Sequence, residues 1–180
     1  PVFSQSLSHQ ESGLISGVTS VHGTSDALSF GVTYDRAGRM TSWKQADGNA
    51  FAEKDITYDA NGNILTMRRY GADGSLEADY GYRYSGNRLT GLDDGSFSEA
   101  SFTYDPNGNL MSDTRSGIIS AVYNELNLPQ SVTFADGEAE YLYLSDGTKL
   151  AALKDGVGLI YCGSMVFSCS FSGTAPAVDF

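Results

Sequence analysis

The sequence predicts an all-β fold, a long antiparallel meander of hairpins that forms one curved, twisted sheet. Three observations predict it. Short runs of β-branched, aromatic and apolar residues recur at strand length, as in Asp55-Ile56-Thr57-Tyr58 and Ile64-Leu65-Thr66-Met67. Glycine punctuates them, 21 residues in 180 or about 12% against a usual ~7%, and no window carries a sustained helical stripe with caps. Above all, the chain repeats itself.

Aligned on tyrosine, six segments recur with anchors at Tyr34, Tyr58, Tyr84, Tyr104, Tyr123 and Tyr143, spaced 24, 26, 20, 19 and 20 residues apart. Three of them share a Tyr-Asp-x-x-Gly core: Tyr34-Asp35 with Gly38, Tyr58-Asp59 with Gly62-Asn63, and Tyr104-Asp105 with Gly108-Asn109. The residue types have a mechanical reading. Aspartate at the first turn position accepts a backbone N–H, and glycine at the fourth supplies the positive φ of a type I turn followed by a bulge. Pro106 falls at the second position, where a type I turn accepts a preset φ. Each unit therefore reads as strand, tight turn, strand. In the third copy, Tyr84-Ser85-Gly86-Asn87, one residue is missing, and the turn is expected to tighten to two residues, Gly86 and Asn87.

The elements follow in order. Residues 1–27, rich in Ser and Gly and holding His9 and His22, carry no repeat and read as an irregular lead-in or a degenerate strand pair. The repeat sheet occupies 28–165, with strands expected near 28–34, 39–44, 54–59, 63–69, 78–84, 88–92, 99–104, 109–114, 118–123, 130–135, 139–144 and 148–154. Gly71-Ala72-Asp73-Gly74, Asp93-Asp94-Gly95, Ala135-Asp136-Gly137 and Lys154-Asp155-Gly156 read as turns on the opposite side. A last pair is expected near 158–162 and 165–171, so that 166–180 forms a terminal strand or tail. Cys162 and Cys169 lie seven apart, on opposite faces of any one straight strand. Two buried thiols are expected, since a disulfide would need a turn near Gly163 and an oxidising compartment. Two ligands alone cannot close a structural zinc site.

Charge excludes several functions. Eleven basic residues against 22 acidic give a net charge of −11, which argues against nucleic acid and anionic membrane surfaces as partners. No apolar run approaches the ~18 residues of a membrane span, so no membrane insertion is expected. Residues 1–10 lack the basic and apolar regions of a signal peptide, and the chain opens at Pro1, so it is expected to be a piece of a longer polypeptide.

On the pairs Tyr34-Asp35, Tyr58-Asp59 and Tyr104-Asp105, with Asn63 and Asn109 behind the glycines and the shortened Tyr84-Ser85-Gly86-Asn87, the chain resembles the Rhs/YD-repeat family over roughly 28–165. The resemblance implies a β-sheet that spirals into a hollow shell, which encloses a C-terminal toxin in bacterial members and forms an extracellular barrel in animal teneurins. It implies a non-catalytic structural wall segment of a larger secreted or surface-associated bacterial protein, enclosing or scaffolding an effector absent from this chain. The partners implied are the remaining repeats and that effector. Nothing in the chain matches the plug with a self-cleavage site that ends bacterial shells. Asp105-Pro106-Asn107-Gly108 is superficially similar to its Asp-Pro-x-Gly but sits inside an ordinary repeat turn. Six repeats make only a patch of such a wall.

The recurrent polar residues could serve chemistries other than turn formation. Aspartates after each tyrosine, with Asn61, Asn63, Asn107 and Asn109, offer hard oxygens, yet the aspartate gives way to Ser85, Asn124 and Leu144 in other copies. They read as turn formers, with no metal and no cofactor. Asp93-Asp94 and Glu138 with Glu140 form carboxylate pairs but lack any surrounding signature, and no Gly-x-Ser-x-Gly is present. No catalytic residue is expected. The alternative function is an extracellular carbohydrate- or protein-binding module, in which the repeat tyrosines together with Trp43, Tyr70, Tyr80, Tyr82, Tyr141 and Tyr161 make an aromatic surface. Against it stands an aromatic ladder that stabilises cross-strand packing. Unpaired strand edges lead to the further expectation of an edge-to-edge homodimer.

Overall fold

The computed structural model describes residues 3–95, 99–172 and 175–179. Residues 1–2 of the expected lead-in, 96–98, and 173–174 and 180 of the expected tail lie outside the described residues. Every regular element among the described residues is a strand. The chain divides into two compact units, residues 1–99 and 100–180, each an antiparallel meander.

In the first unit β1 (Phe3–His9), β2 (Ile15–His22), β3 (Leu28–Tyr34), β4 (Met40–Gln45), β5 (Glu53–Tyr58), β6 (Ile64–Tyr70), β7 (Leu76–Ser85) and β8 (Arg88–Asp93) each pair with the next. In the second unit β9 (Ala100–Tyr104), β10 (Leu110–Asp113), β11 (Ile118–Tyr123), β12 (Pro129–Phe134), β13 (Gly137–Tyr143), β14 (Lys149–Lys154), β15 (Val157–Cys162), β16 (Met165–Ser172) and β17 (Ala175–Asp179) do the same. The strand ends fall within about two residues of the expected ones because glycine turns and alternating residues mark them together. Residues 1–27 hold the β1–β2 hairpin, whose turn uses the same hydrogen bonds as the later repeats: the Gln10 N–H donates to the Leu14 carbonyl (2.7 Å) and the Gly13 N–H to the Gln10 carbonyl (2.9 Å).

A strand presents alternate residues to opposite faces. One face carries small or medium apolar residues at low exposure, including Val32, Ile56, Met67 and Leu92 in the first unit and Ala100, Ala121 and Leu153 in the second. Among the described residues no large side chain is completely buried, as expected of single-layer sheets that cover their apolar face only in part. The other face pairs hydroxyls across strands: Thr33 with Thr41 (2.9 Å), Thr57 with Thr66 (2.7 Å) and Thr103 with Ser112 (2.6 Å).

The pairing register slips by one residue at every anchor, Tyr104 included. Thr57 faces Thr66 but Tyr58 faces Ile64, and the same slip occurs at Tyr34, Tyr84, Tyr123 and Tyr143. A bulge is thus part of each repeat, and it increases local twist.

Candidate functional site

The repeat turns and the tyrosines behind them form the most regular constellation in the molecule. In the second copy the Asp59 N–H donates to the Asn63 carbonyl (2.9 Å), and the Gly62 N–H donates to the Asp59 carbonyl (3.2 Å). Gly62 sits at φ 90°, and Gly108 at φ 94°. This is a type I turn closed by a glycine bulge. Asp59 Oδ1 accepts from the N–H groups of Asn61 (2.9 Å) and Asn63 (2.8 Å), while Oδ2 accepts from Asn63 Nδ2 (2.8 Å). Asp105 with Asn109 and Asp35 with Arg39 repeat the arrangement. The fifth copy carries it without either signature residue. There Asn124 Oδ1 takes the N–H groups of Leu126 (2.9 Å) and Leu128 (3.0 Å), and Asn127 occupies the glycine place at φ 57°. In the shortened copy Ser85 pairs with Arg88 around Gly86 at φ 62°, the two-residue turn that needs positive φ only at its first central residue.

Three of the six anchor tyrosines join their hairpin to the preceding one. The Tyr34 hydroxyl donates to the Ile15 carbonyl (2.8 Å), Tyr58 to Met40 (2.6 Å) and Tyr123 to Leu110 (2.8 Å). In each case the acceptor is the first residue of the strand that leaves the preceding turn. A second tie runs along the turns. Arg39 Nη1 donates to the Asp59 carbonyl (2.9 Å), Asn63 Nδ2 to Asn87 Oδ1 (3.1 Å) and Asn109 Nδ2 to Asn127 Oδ1 (3.0 Å). The residue after the glycine therefore closes its own turn and reaches the next one. Because Asp59 Oδ1 mainly pre-orders a local loop, Asp59→Ala is expected to cost less melting stability than valine at Gly62. Asp59→Asn, which keeps an acceptor there, is expected to cost least. Thermal unfolding of the three variants checks the order.

These bonds also set the electrostatics. Backbone and then side-chain hydrogen bonds from Arg39 hold the Asp35 carboxyl below the usual range. The side chain of Asn63, followed by its backbone, does the same for Asp59. At Asp105 burial pushes upward but is outweighed by the Asn109 side chain and the backbone of Asn109, Gly108 and Asn107. The tyrosines move the opposite way. Burial, then the charge of the preceding repeat's aspartate, raises Tyr58 beside Asp35, Tyr84 beside Asp59 and Tyr123 beside Asp105. A lowered carboxyl contributes stability that is complete above its unfolded value near ~3.9 and lost as pH falls through the folded value. A raised phenol contributes stability that is complete below ~10 and lost as pH rises through the folded value. The melting temperature is expected to be flat from about pH 5 to 9 and to fall on both sides, as a pH series of thermal melts would show.

All six anchor rings are half-buried, as are Trp43, Tyr70, Tyr80, Tyr82, Tyr141 and Tyr161. Tyr104 stands at the end of β9, opposite Leu110. The carboxylates posed as catalytic pairs are not concentrated in a cleft: Glu138 and Glu140 are exposed on β13, and Asp93 Oδ1 accepts from the Gly95 N–H (2.9 Å) in a turn. No group of three or more metal-binding side chains exists among the described residues. The cysteines correct one expectation. A turn does fall at Gly163 (φ 61°), but only Cys169 is buried and Cys162 is exposed. Cys162 ends β15 facing Met165 across that turn, where nothing covers it. The threonine that precedes the tyrosine in three copies was a signal left unread, since Thr33, Thr57 and Thr103 head the hydroxyl pairs of the other face.

Comparison with known proteins adds a family. The model of the Teneurin YD-shell matches residues 47–152. No curated protein matches the chain. Among solved structures, the crystal structure of TcdB2-TccC3 is similar over 97% of this chain and 14% of that one, at 11% identity and a TM-score of 0.44. The form without its hypervariable C-terminal region is similar over 97% of this chain and 12% of that one, at 15% identity and a TM-score of 0.44. The chain thus spans about one seventh or less of these two solved chains.

Proposed function

The chain belongs to the teneurin YD-shell family, whose members are structural shells, and on that premise we propose that it is a non-catalytic wall segment that helps enclose an effector polypeptide. The observation that carries this reading is the tyrosine tie. Within each unit hairpins dock on the one before them through a hydroxyl-to-carbonyl bond, at Tyr34 and Tyr58 in the first and at Tyr123 in the second, which supports a sheet that lengthens by addition of like units. Such a device serves extent, not chemistry. The same tie weakens the aromatic-surface alternative, because the hydroxyls of Tyr34, Tyr58 and Tyr123 are spent within the sheet. The turn motif, from Tyr34-Asp35-Gly38 to Tyr143, is on this reading a structural repeat. The wall would belong to a secreted or surface-associated bacterial protein, with further repeats as its partners.

The test uses a longer polypeptide that carries this chain. Under limited proteolysis residues 28–165 should stay intact and shield an enclosed segment. Gly62→Val together with Gly108→Val should open the wall and make that segment digestible. Equal digestion with and without the substitutions would contradict enclosure. Among the described residues β1 pairs only with β2, which leaves a strand edge for another strand or a second copy. Light scattering of the isolated chain should therefore show dimers that increase with concentration.

A further inference from the structure

One concavity in the first unit lies beside a tyrosine tie, at Met40, and is lined by aromatic and charged side chains that the tie does not use. We propose that this notch between β4 and β5 is a saccharide-binding site, which takes a neutral sugar unit of an oligosaccharide. The pairing of β4 with β5 shrinks to a single facing pair, Trp43 with Glu53, and the chain between them detours through residues 46–52. A cavity of about 570 Å³ opens there, lined by Met40, Trp43, Phe51, Glu53, Arg69 and Tyr70. That volume lies within the ~300–1,000 Å³ usual for small-molecule sites.

Phe51 is the residue that the fold alone does not explain. Its φ is 56°, a left-handed conformation costly for a bulky side chain, and 53% of it is exposed. A glycine would make the same turn without strain, and an exposed phenylalanine adds little to the core. Strain kept at a cavity mouth is characteristic of ligand clamps. The other aromatic walls are held in place. Trp43 stacks on Phe30, with ring centres 4.8 Å apart and planes at 17°, and Lys54 Nζ stands 4.6 Å from the Tyr70 ring centre.

The polar groups select the ligand class. Arg69 Nε (3.0 Å) and Nη2 (2.7 Å) both donate to Glu53 Oε1, so Glu53 Oε2 and Arg69 Nη1 keep hydrogen-bonding capacity beside the aromatic rings. Glu77 also lines the notch, and its carboxylate lies over Gly71, where an added Cβ would come within 2.6 Å of Oε1. Of the charged groups that line the notch, Glu53 is already neutralised by Arg69 and Glu77 adds a carboxylate, so an anionic ligand is disfavoured and the free oxygens are acceptors for hydroxyl groups. A purely apolar ligand would desolvate those groups without pairing them. A flat apolar face with a hydroxylated edge satisfies both the rings and the charged fork, and a pyranose has that form.

Trp43 is the only tryptophan and lines the notch, so its fluorescence reports on occupancy there. The full chain is titrated with neutral oligosaccharides of glucose, of mannose and of N-acetylglucosamine, and separately with N-acetyltyrosine amide. A saturable emission shift is expected with at least one of the three oligosaccharides. Phe51→Gly, which relieves the backbone, is expected to melt at or above the wild-type temperature yet bind at least about tenfold more weakly. No shift with any of the three, a shift with the tyrosine derivative alone, or undiminished binding by Phe51→Gly would each overturn the proposal.

Discussion

Valine in place of Gly62 or Gly108 is expected to lower the stability of the chain by about 1–3 kcal/mol. Both glycines stand at φ near or above 90°, where a β-branched residue is strained whatever room surrounds it. An added Cβ at Gly62 would meet nothing within 4 Å, so the penalty is one of backbone and not of clash. Gly62→Ala should therefore already cost about 1 kcal/mol, with valine costing more. At roughly 2–4 °C per kcal/mol for a chain of this size, differential scanning calorimetry resolves the two steps. A loss confined to valine would point to crowding in place of φ.

Removing the Tyr58 ring is the second large effect. Tyr58→Ala deletes a half-buried aromatic side chain, the cation–π contact with Arg39 at 4.6 Å and the bond to the Met40 carbonyl, and is expected to cost about 2–3 kcal/mol. Tyr58→Phe keeps the ring and removes only the hydroxyl, at about 1 kcal/mol. Because Met40 belongs to the preceding hairpin, even that small loss should be felt outside β5. Denaturant melts of both variants beside wild type give the two values.

The sequence spelled out the hairpins because each turn needs one residue type at one place. Gly62 and Gly108 mark positive φ, and Asp59 and Asp105 mark the acceptors that fold the loop, so residue type alone bounds the strands on either side. The β1–β2 turn was less legible, since Gln10 and Gly13 make the same backbone bonds without tyrosine or aspartate. The hydrogen bonds of that loop belong to the main chain, and the aspartate only assists. The tyrosine tie left still less trace. Its acceptor is a carbonyl 18 residues away at Met40, and a carbonyl is common to every residue type. Phe51 and Asp55 take positive φ where neither residue type announces it, so the notch beside β5 could be found only in three dimensions.

The most direct test of serial docking through tyrosine is amide hydrogen exchange on Tyr58→Phe, read hairpin by hairpin. The expected result is faster exchange in β3 and β4, residues 28–45, although the missing oxygen belongs to β5. Faster exchange limited to β5 and β6, with β3 and β4 protected as in wild type, would contradict it.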